Sequence, residues 1–234
     1  MFRHLINIIF PITCTSCGID LPIDDSLRVC VVCKNNIKAI DNSYCCKCGL
    51  FLPDGGENCF FCLQKPKYYF EFIRSYGIYD GVLKKLIQRF KYNNKDYLGK
   101  FLGELMISTI NNCDELIMAD CIIPVPMHWF KKLTRGYNQT ELLAKHISQH
   151  FDKPLLLNTL SRNKLSGSQV KLQRLKRIEN IKGCFNINKR EEIKGKDVLL
   201  IDDVATTCST LNECAKTLRK AGASKVYCLT TARD

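Results

Sequence analysis

The uncharged run Val198-Leu199-Leu200-Ile201, with Asp197 before it and Asp202-Asp203 after it, is the sharpest apolar-to-polar boundary in the chain. Four apolar positions without alternation predict a parallel strand covered on both faces. Strands of this kind open at their carboxyl ends onto ligand crevices, and here two acids and then Thr206, Thr207, Cys208, Ser209 and Thr210 follow. Behind this loop Leu211, Cys214, Ala215 and Leu218 fall at i, i+3, i+4 and i+7, the spacing of an amphipathic helix. Lys216, Arg219 and Lys220 load its last turn with cations and Gly222 can close it. The Thr206–Thr210 loop therefore sits at a helix N-terminus, where free N–H groups and hydroxyls suit a phosphate.

The same patterning divides residues 66–234 into alternating strands and helices. Candidate strands are Phe70–Tyr79, Cys121–Val125, Leu155–Leu160, Val198–Ile201 and Lys225–Thr231; candidate helices are Val82–Phe90, Leu98–Ile110, Asn138–Phe151, Leu172–Ile181 and Ser209–Ala221. Strands separated by helices predict an α/β domain, a parallel sheet with helices on both faces. The opening MFRHLINIIF is apolar but too short for a membrane span, lacks a small-residue cleavage site and meets Pro11 at once. It reads as a short helix docked on one of the domains. No membrane insertion and a cytoplasmic location with reduced thiols are the expectations.

Cysteine spacing sets the second constraint. Of 15 cysteines, eight form four C-x-x-C pairs: Cys14/Cys17, Cys30/Cys33, Cys45/Cys48 and Cys59/Cys62. Cys14 to Cys45 and Cys17 to Cys48 are both 31 apart, and Cys30 to Cys59 and Cys33 to Cys62 both 29, so two similar modules stand in tandem. Clustered soft ligands suit structural tetrahedral Zn²⁺, about two ions in all, and the glycines after the first pairs, Gly18 and Gly49, let the backbone turn N–H groups toward sulfur. Sequential sites (Cys14/17/30/33, then Cys45/48/59/62) are the chosen pairing; an interleaved one uses the same residues, and Cys46 stands outside both. A disulfide framework is the alternative for a secreted chain, and no secretory signal supports it. The predicted division is 1–65, N-terminal helix and zinc module, and 66–234, α/β domain.

Charge is unevenly divided between the two. Residues 1–65 hold six Lys/Arg and six Asp/Glu, so all of the net +12 belongs to residues 66–234. Part of it is concentrated in Arg162, Lys164, Lys171, Arg174, Lys176 and Arg177, around Ser166-Gly167-Ser168, a polar loop leading into a basic helix that would track phosphates. Tyr68, Tyr69, Phe70, Phe72, Tyr76 and Tyr79 near the domain junction could stack bases, although their strand-like spacing favours packing. Val125, Pro126 and Met127 end a strand in a turn that could offer amides to a phosphate, and Arg135, ahead of the helix cap Asn138, could face a pyrophosphate.

Two adjacent carboxylates beside a phosphate loop can hold the cis hydroxyls of a ribose or a Mg²⁺ ion. A Walker B strand is a rival reading, weakened because no G-x-x-x-x-G-K-[ST] occurs. The Asp202–Thr210 stretch resembles the phosphoribosyl-pyrophosphate (PRPP) signature of type I phosphoribosyltransferases, with Cys208 where that family has glycine, a substitution that costs strain if the loop needs positive φ. The whole order closely resembles the competence protein F (ComF/ComFC) family. It runs from the paired C-x-x-C fingers through Phe90-Lys91-Tyr92, Pro124-Val125-Pro126, Arg135-Gly136-Tyr137-Asn138-Gln139 and Arg162 through Gln169 to Arg177 and Asn180, then Phe185 and the Asp-Asp-Val-x-Thr-Thr loop.

That resemblance implies a double zinc ribbon and a type I phosphoribosyltransferase-like domain that binds PRPP with Mg²⁺. It also implies a part in handling imported single-stranded DNA during natural transformation, with other competence proteins as further partners. On this reading Ala205–Thr210 take the 5-phosphate, Asp202 and Asp203 the hydroxyls, and Val125–Met127 with Arg135 the pyrophosphate; phosphoribosyl transfer needs no dedicated nucleophile, because positioning and charge stabilisation do most of the work. Arg162, Lys164, Lys171, Arg174 and Arg177 would face nucleic acid. The alternative function is a metabolic phosphoribosyltransferase of nucleotide synthesis or salvage with a small-molecule acceptor.

Overall fold

Leu199 and Ile201 enter one apolar core while Val198 and Leu200 enter another. A strand buried on both faces has no position left for a polar side chain, and that is why its sequence does not alternate. The computed structural model describes residues 11–64, 66–92, 95–163 and 180–234.

Four parallel strands make the main sheet: β1 (Ile73–Ile78), β2 (Cys121–Pro124), β5 (Asp197–Ala205) and β6 (Lys225–Arg233), in the order β1-β6-β5-β2. Register pairs Ile201 with both Pro124 and Leu229, and Ala205 with Arg233. Helices α1 (Val31–Asn35) and α2 (Phe60–Leu63) belong to the cysteine modules. They are followed by α3 (Gly81–Tyr92), α4 (Leu98–Ile110), α5 (Asp114–Ile117), α6 (Trp129–Arg135), α7 (Gln139–Phe151) and α8 (Ser209–Lys220). Helices α4 and α7 cover one face, filling it with Leu102, Met106, Leu143 and Ile147; α8 covers the other with Leu211, Cys214, Ala215 and Leu218. A separate antiparallel pair, β3 (Leu160–Arg162) and β4 (Phe185–Ile187), stands off the sheet.

Several boundaries move against expectation. Strand β5 runs on through Asp202 and Asp203 to Ala205, held by β6 as far as Arg233, so both acids lie within a paired strand rather than beyond it. Leu155–Leu160 is not a strand: Leu155 makes a single bridge to Ile122, and extended pairing begins at Leu160, away from the sheet. Strand β1 is shorter than Phe70–Tyr79, although Phe70 and Ile73 are fully buried. The opening ten residues and residues 164–179 lie outside the described residues, and with them most of the expected Leu172–Ile181 helix.

The two cysteine modules attach to different cores. Cys14, Val29, Cys33 and Ile37 extend the core shared by α3, α4 and α7, whereas Cys45, Cys48, Cys59 and Cys62 extend the core under α8. Gly49 makes the second attachment possible: its φ is +67°, and a Cβ there would sit 2.7 Å from the Ile73 carbonyl oxygen. Gly18 also takes positive φ, but both glycine N–H groups donate to the cysteine carbonyl four residues back, not to sulfur.

Candidate functional site

The sulfurs of Cys14, Cys17, Cys30 and Cys33 lie within 4.8 Å of one another, as do those of Cys45, Cys48, Cys59 and Cys62. This is the sequential pairing. The spacings Cys17–Cys30, 3.7 Å, and Cys48–Cys59, 3.6 Å, match the edge of a tetrahedron with metal–sulfur bonds of about 2.3 Å. All the cysteines are free thiols, so four soft donors converge without a disulfide to occupy them. At Cys14 the backbone favours thiolate. Although burial would raise it, N–H groups of Cys30, Cys17 and Ser16 draw the Cys14 thiol down to about 6. Cys46 is exposed and hydrogen-bonds Asn58 instead.

Above the sheet, β5 delivers Asp202 and Asp203 beside a third group, Lys91, at the end of α3. Lys91 Nζ lies 2.8 Å from Asp203 Oδ1, with both side chains largely buried. Burial, and then the Asp203 charge, push Asp202 up to about 7; the Asp203 N–H and the Lys91 and Arg162 charges oppose the rise. Burial would lower Lys91, but the two carboxylates outweigh it and hold its pKa above the ordinary lysine value. Lys91 is the residue that sequence reasoning leaves out of the site. A cation at the end of an amphipathic helix reads as solvated, and only its place in Phe90-Lys91-Tyr92 marks it.

The segment 137–140 holds Lys91 in place. Tyr137 Oη donates to the Phe90 carbonyl and Gln139 Nε2 to the Lys91 carbonyl at 3.4 Å, satisfying carbonyls at the C-terminus of α3. Thr140 Oγ1 donates to the Val125 carbonyl at 2.7 Å, tying α7 to the turn that follows β2. Asn138 stands at the N-terminus of α7, but its side chain makes no backbone cap; it accepts from Thr140 and donates to Glu141. The Val125 N–H donates to Ile201 and Pro126 has none, so an amide offered by this turn comes from Met127 onward. Pro126, Met127, Trp129 and Arg162 share a cavity of about 200 Å³. Arg135 ends α6, and its side chain lies outside the described residues, as do Lys164, Lys171, Arg174 and Arg177 in full.

The loop from Ala205 to Thr210 leads into α8 through Cys208, which has φ 61° and ψ 0°. This is the left-handed region that glycine fills without strain. The Thr207 and Ser209 hydroxyls are 2.8 Å apart, Thr207 Oγ1 also accepts the Ser209 N–H at 3.4 Å, and the Cys208 side chain makes no cap, so the other N–H groups of the first turn of α8 have no side-chain cap from the N-cap residue. Beneath the loop lies a second residue that spacing does not reveal: buried Arg233 at the end of β6, which donates to the carbonyls of Ala205 (3.0 Å) and Thr206 (2.6 Å). The larger cavity, about 620 Å³, lies elsewhere, where Tyr44, Arg74, Tyr76 and Asn112 meet at the edge of the second cysteine module. Its lining includes neither Asp202 nor Asp203 nor any residue of the 205–210 loop.

Residues 139–234 match the phosphoribosyl transferase domain, and residues 5–63 match the double zinc ribbon domain. Competence protein F of Haemophilus influenzae is 33% identical over 228 residues, covering 96% of this chain and 98% of that protein. The DNA utilization protein YhgH of Shigella flexneri is 28% identical over 206 residues (86% and 89% covered). Competence protein ComFC of Bacillus subtilis is 26% identical over 219 residues (88% and 85%). Both modules, in order and along nearly the full length of both chains, place this protein in the competence protein F family.

Proposed function

We propose that the protein binds Mg·PRPP, or a related sugar phosphate, at the carboxyl end of β5 and single-stranded DNA on the adjoining basic surface during DNA uptake. The observation that carries the first half is the delivery of Asp202 and Asp203, on one strand, to the hydroxyl-rich N-terminus of the 12-residue helix α8. The electrostatics favour ribose hydroxyls over direct metal ligation. Lys91 already neutralises Asp203, and Asp202 near pH 7 is partly protonated, so a divalent cation would have to displace a buried ammonium. A pair of hydroxyls needs only the acceptor oxygens that remain, and a half-protonated Asp202 can also donate. Mg²⁺ would then ride on the pyrophosphate and supply charge neutralisation there. Residues 125–127 and Arg135 would be the protein's groups at that end.

The DNA half rests on net charge and on exposed aromatics. Trp129 and Phe130 on α6 are 62% and 50% exposed, and Trp129 shares its cavity with Arg162; an aromatic face beside a cation suits an unstacked base. These aromatics, rather than the Tyr68–Tyr79 group, would form the platform. Phe70 is 1% exposed and stacks on Tyr68. Zinc in the two cysteine clusters cross-links the amino-terminal module, and residues 1–65 and 66–234 would act as its two functional parts.

Titration calorimetry tests the sugar-phosphate site. Asp202→Asn with Asp203→Asn should abolish Mg·PRPP binding and leave the far-UV spectrum intact. Unchanged binding in the double variant places the ligand elsewhere. Release of pyrophosphate from PRPP, with and without single-stranded DNA or a free base, separates turnover on a small acceptor from binding alone.

A further inference from the structure

The zinc module and the phosphate loop meet at one joint. Cys208, only 5% exposed, is buried in the same core as Cys48, a member of the second four-cysteine cluster. Arg233, also 5% exposed, makes the second link. Its Nε donates to the Cys48 carbonyl at 3.0 Å and its Nη2 lies 3.8 Å from the Cys48 sulfur. Its Nη1 grips the carbonyls of Ala205 and Thr206. One rigid guanidinium fork therefore touches a metal-binding sulfur and the first two peptide groups of the loop. In the first cluster, among the described residues, the sulfurs bond only groups of their own module, and the link to the domain is made beside them, by Arg89 to the Thr15 carbonyl and by Tyr97 to the Thr15 hydroxyl.

The geometry has a direct effect on the loop. In a planar trans peptide the N–H points opposite to the C=O. Drawing the carbonyls of Ala205 and Thr206 down onto Arg233 turns the N–H groups of Thr206 and Thr207 up, to the side where a phosphate would rest. We infer that Cys208 and Arg233 are positioning residues that couple the second four-cysteine centre to the phosphate loop, so that a metal held by Cys45, Cys48, Cys59 and Cys62 and a sugar phosphate on Thr206–Thr210 strengthen each other's binding. Coupling of this kind is reciprocal. The Arg233 N–H donates toward a sulfur that would be a metal-bound thiolate, and the Cys208 thiol is buried in the same core. Removing donors to metal ligands weakens metal affinity about tenfold to a hundredfold. Cysteine in a left-handed position, where glycine is the easier residue, fits this role.

The sugar-phosphate arm rests on the reading of the loop given above; the metal arm does not. The test is competition of the full-length, zinc-loaded chain against a chromogenic chelator, with the second centre identified by its loss in Cys45→Ser. Without ligand, Cys208→Ala should weaken zinc at the second centre about tenfold and leave the first unchanged. Saturating ribose 5-phosphate should tighten the second centre of the wild type about fivefold. In Arg233→Lys, which keeps the charge and loses the fork, that effect should disappear. The first centre serves in every sample as the control for folding. Wild-type zinc affinity in both Cys208→Ala and Arg233→Lys overturns the coupling. So does a ribose 5-phosphate that binds by calorimetry yet leaves both zinc affinities unchanged. Failure of ribose 5-phosphate to bind the wild type at all overturns the reading of the loop alone, and the ligand-free comparison of the variants still decides whether the joint exists.

Discussion

Cys208 carries two opposing contributions that single substitutions can separate. Alanine removes the thiol but keeps a Cβ at φ 61°, whereas glycine removes both. The two variants should differ in urea unfolding by about 1 kcal/mol in favour of glycine, the backbone cost of a left-handed residue with a side chain; no difference would mean that the loop relaxes out of this conformation. Asp202 makes a pH prediction. With its pKa raised to about 7, the native chain holds a proton there that the unfolded chain releases from about pH 4 upward. The native state therefore binds more protons across that window, and its stability falls as pH rises through it and then levels. Asp202→Asn keeps an oxygen to accept the Asp203 N–H. It should match the wild type near pH 4 and exceed it by several kcal/mol, about 4, at pH 8. At Lys91 the sign is opposite: Lys91→Met leaves the buried Asp203 charge without its partner and should cost about 2 to 3 kcal/mol at pH 7 by the same measurement.

Between elements, stability depends on a few close approaches. Gly49→Ala sets a methyl group 2.7 Å from the Ile73 carbonyl at a positive φ, so the second cysteine module must lift from β1. We expect a loss of 2 kcal/mol or more in chemical unfolding, a size tied to backbone strain and overpacking together. The elements that the sequence makes legible are those whose neighbours are local or uniform. Helix α4 is found at Leu98–Ile110 as its periodicity predicts, and β5 is legible because both of its faces are buried. Strand β4, three residues long, pairs among the described residues with β3 and carries no pattern long enough to detect. Leu155–Leu160 has the apolar content of a strand but lies past the edge strand β2, with which it forms a single bridge before Leu160 turns to pair with β4 instead. The four-cysteine sites, the acids and the loop follow from residue type and spacing. Lys91 and Arg233 do not, because their roles arise from which elements end side by side. For Arg233 that depends on β6 lying next to β5.

At the scale of the whole molecule, each cysteine cluster belongs to one of the two cores that sandwich the sheet, so neither module is an appendage. Single-stranded DNA, by contrast, should depend on charge carried by residues 66–234. Reversing Lys171, Arg174 and Arg177 should weaken it, and affinity in the wild type should fall with salt at a log–log slope near −0.7 per phosphate neutralised. Salt-independent binding in a fluorescence anisotropy titration contradicts this. The strand order also sets a timetable for synthesis. The zinc modules close over short stretches between Cys14 and Cys62, and metal capture can begin while most of the chain is still being made. The sheet cannot follow at once, because β6 lies between β1 and β5, and Ile73 must find Cys228, 155 positions later. Until β6 has left the ribosome, β1 and β5 both expose the edges meant for it, and contacts this distant in sequence form slowly. The nascent protein is thus a finished metal module attached to an open, apolar sheet, the interval in which it is most exposed to aggregation and most in need of a chaperone.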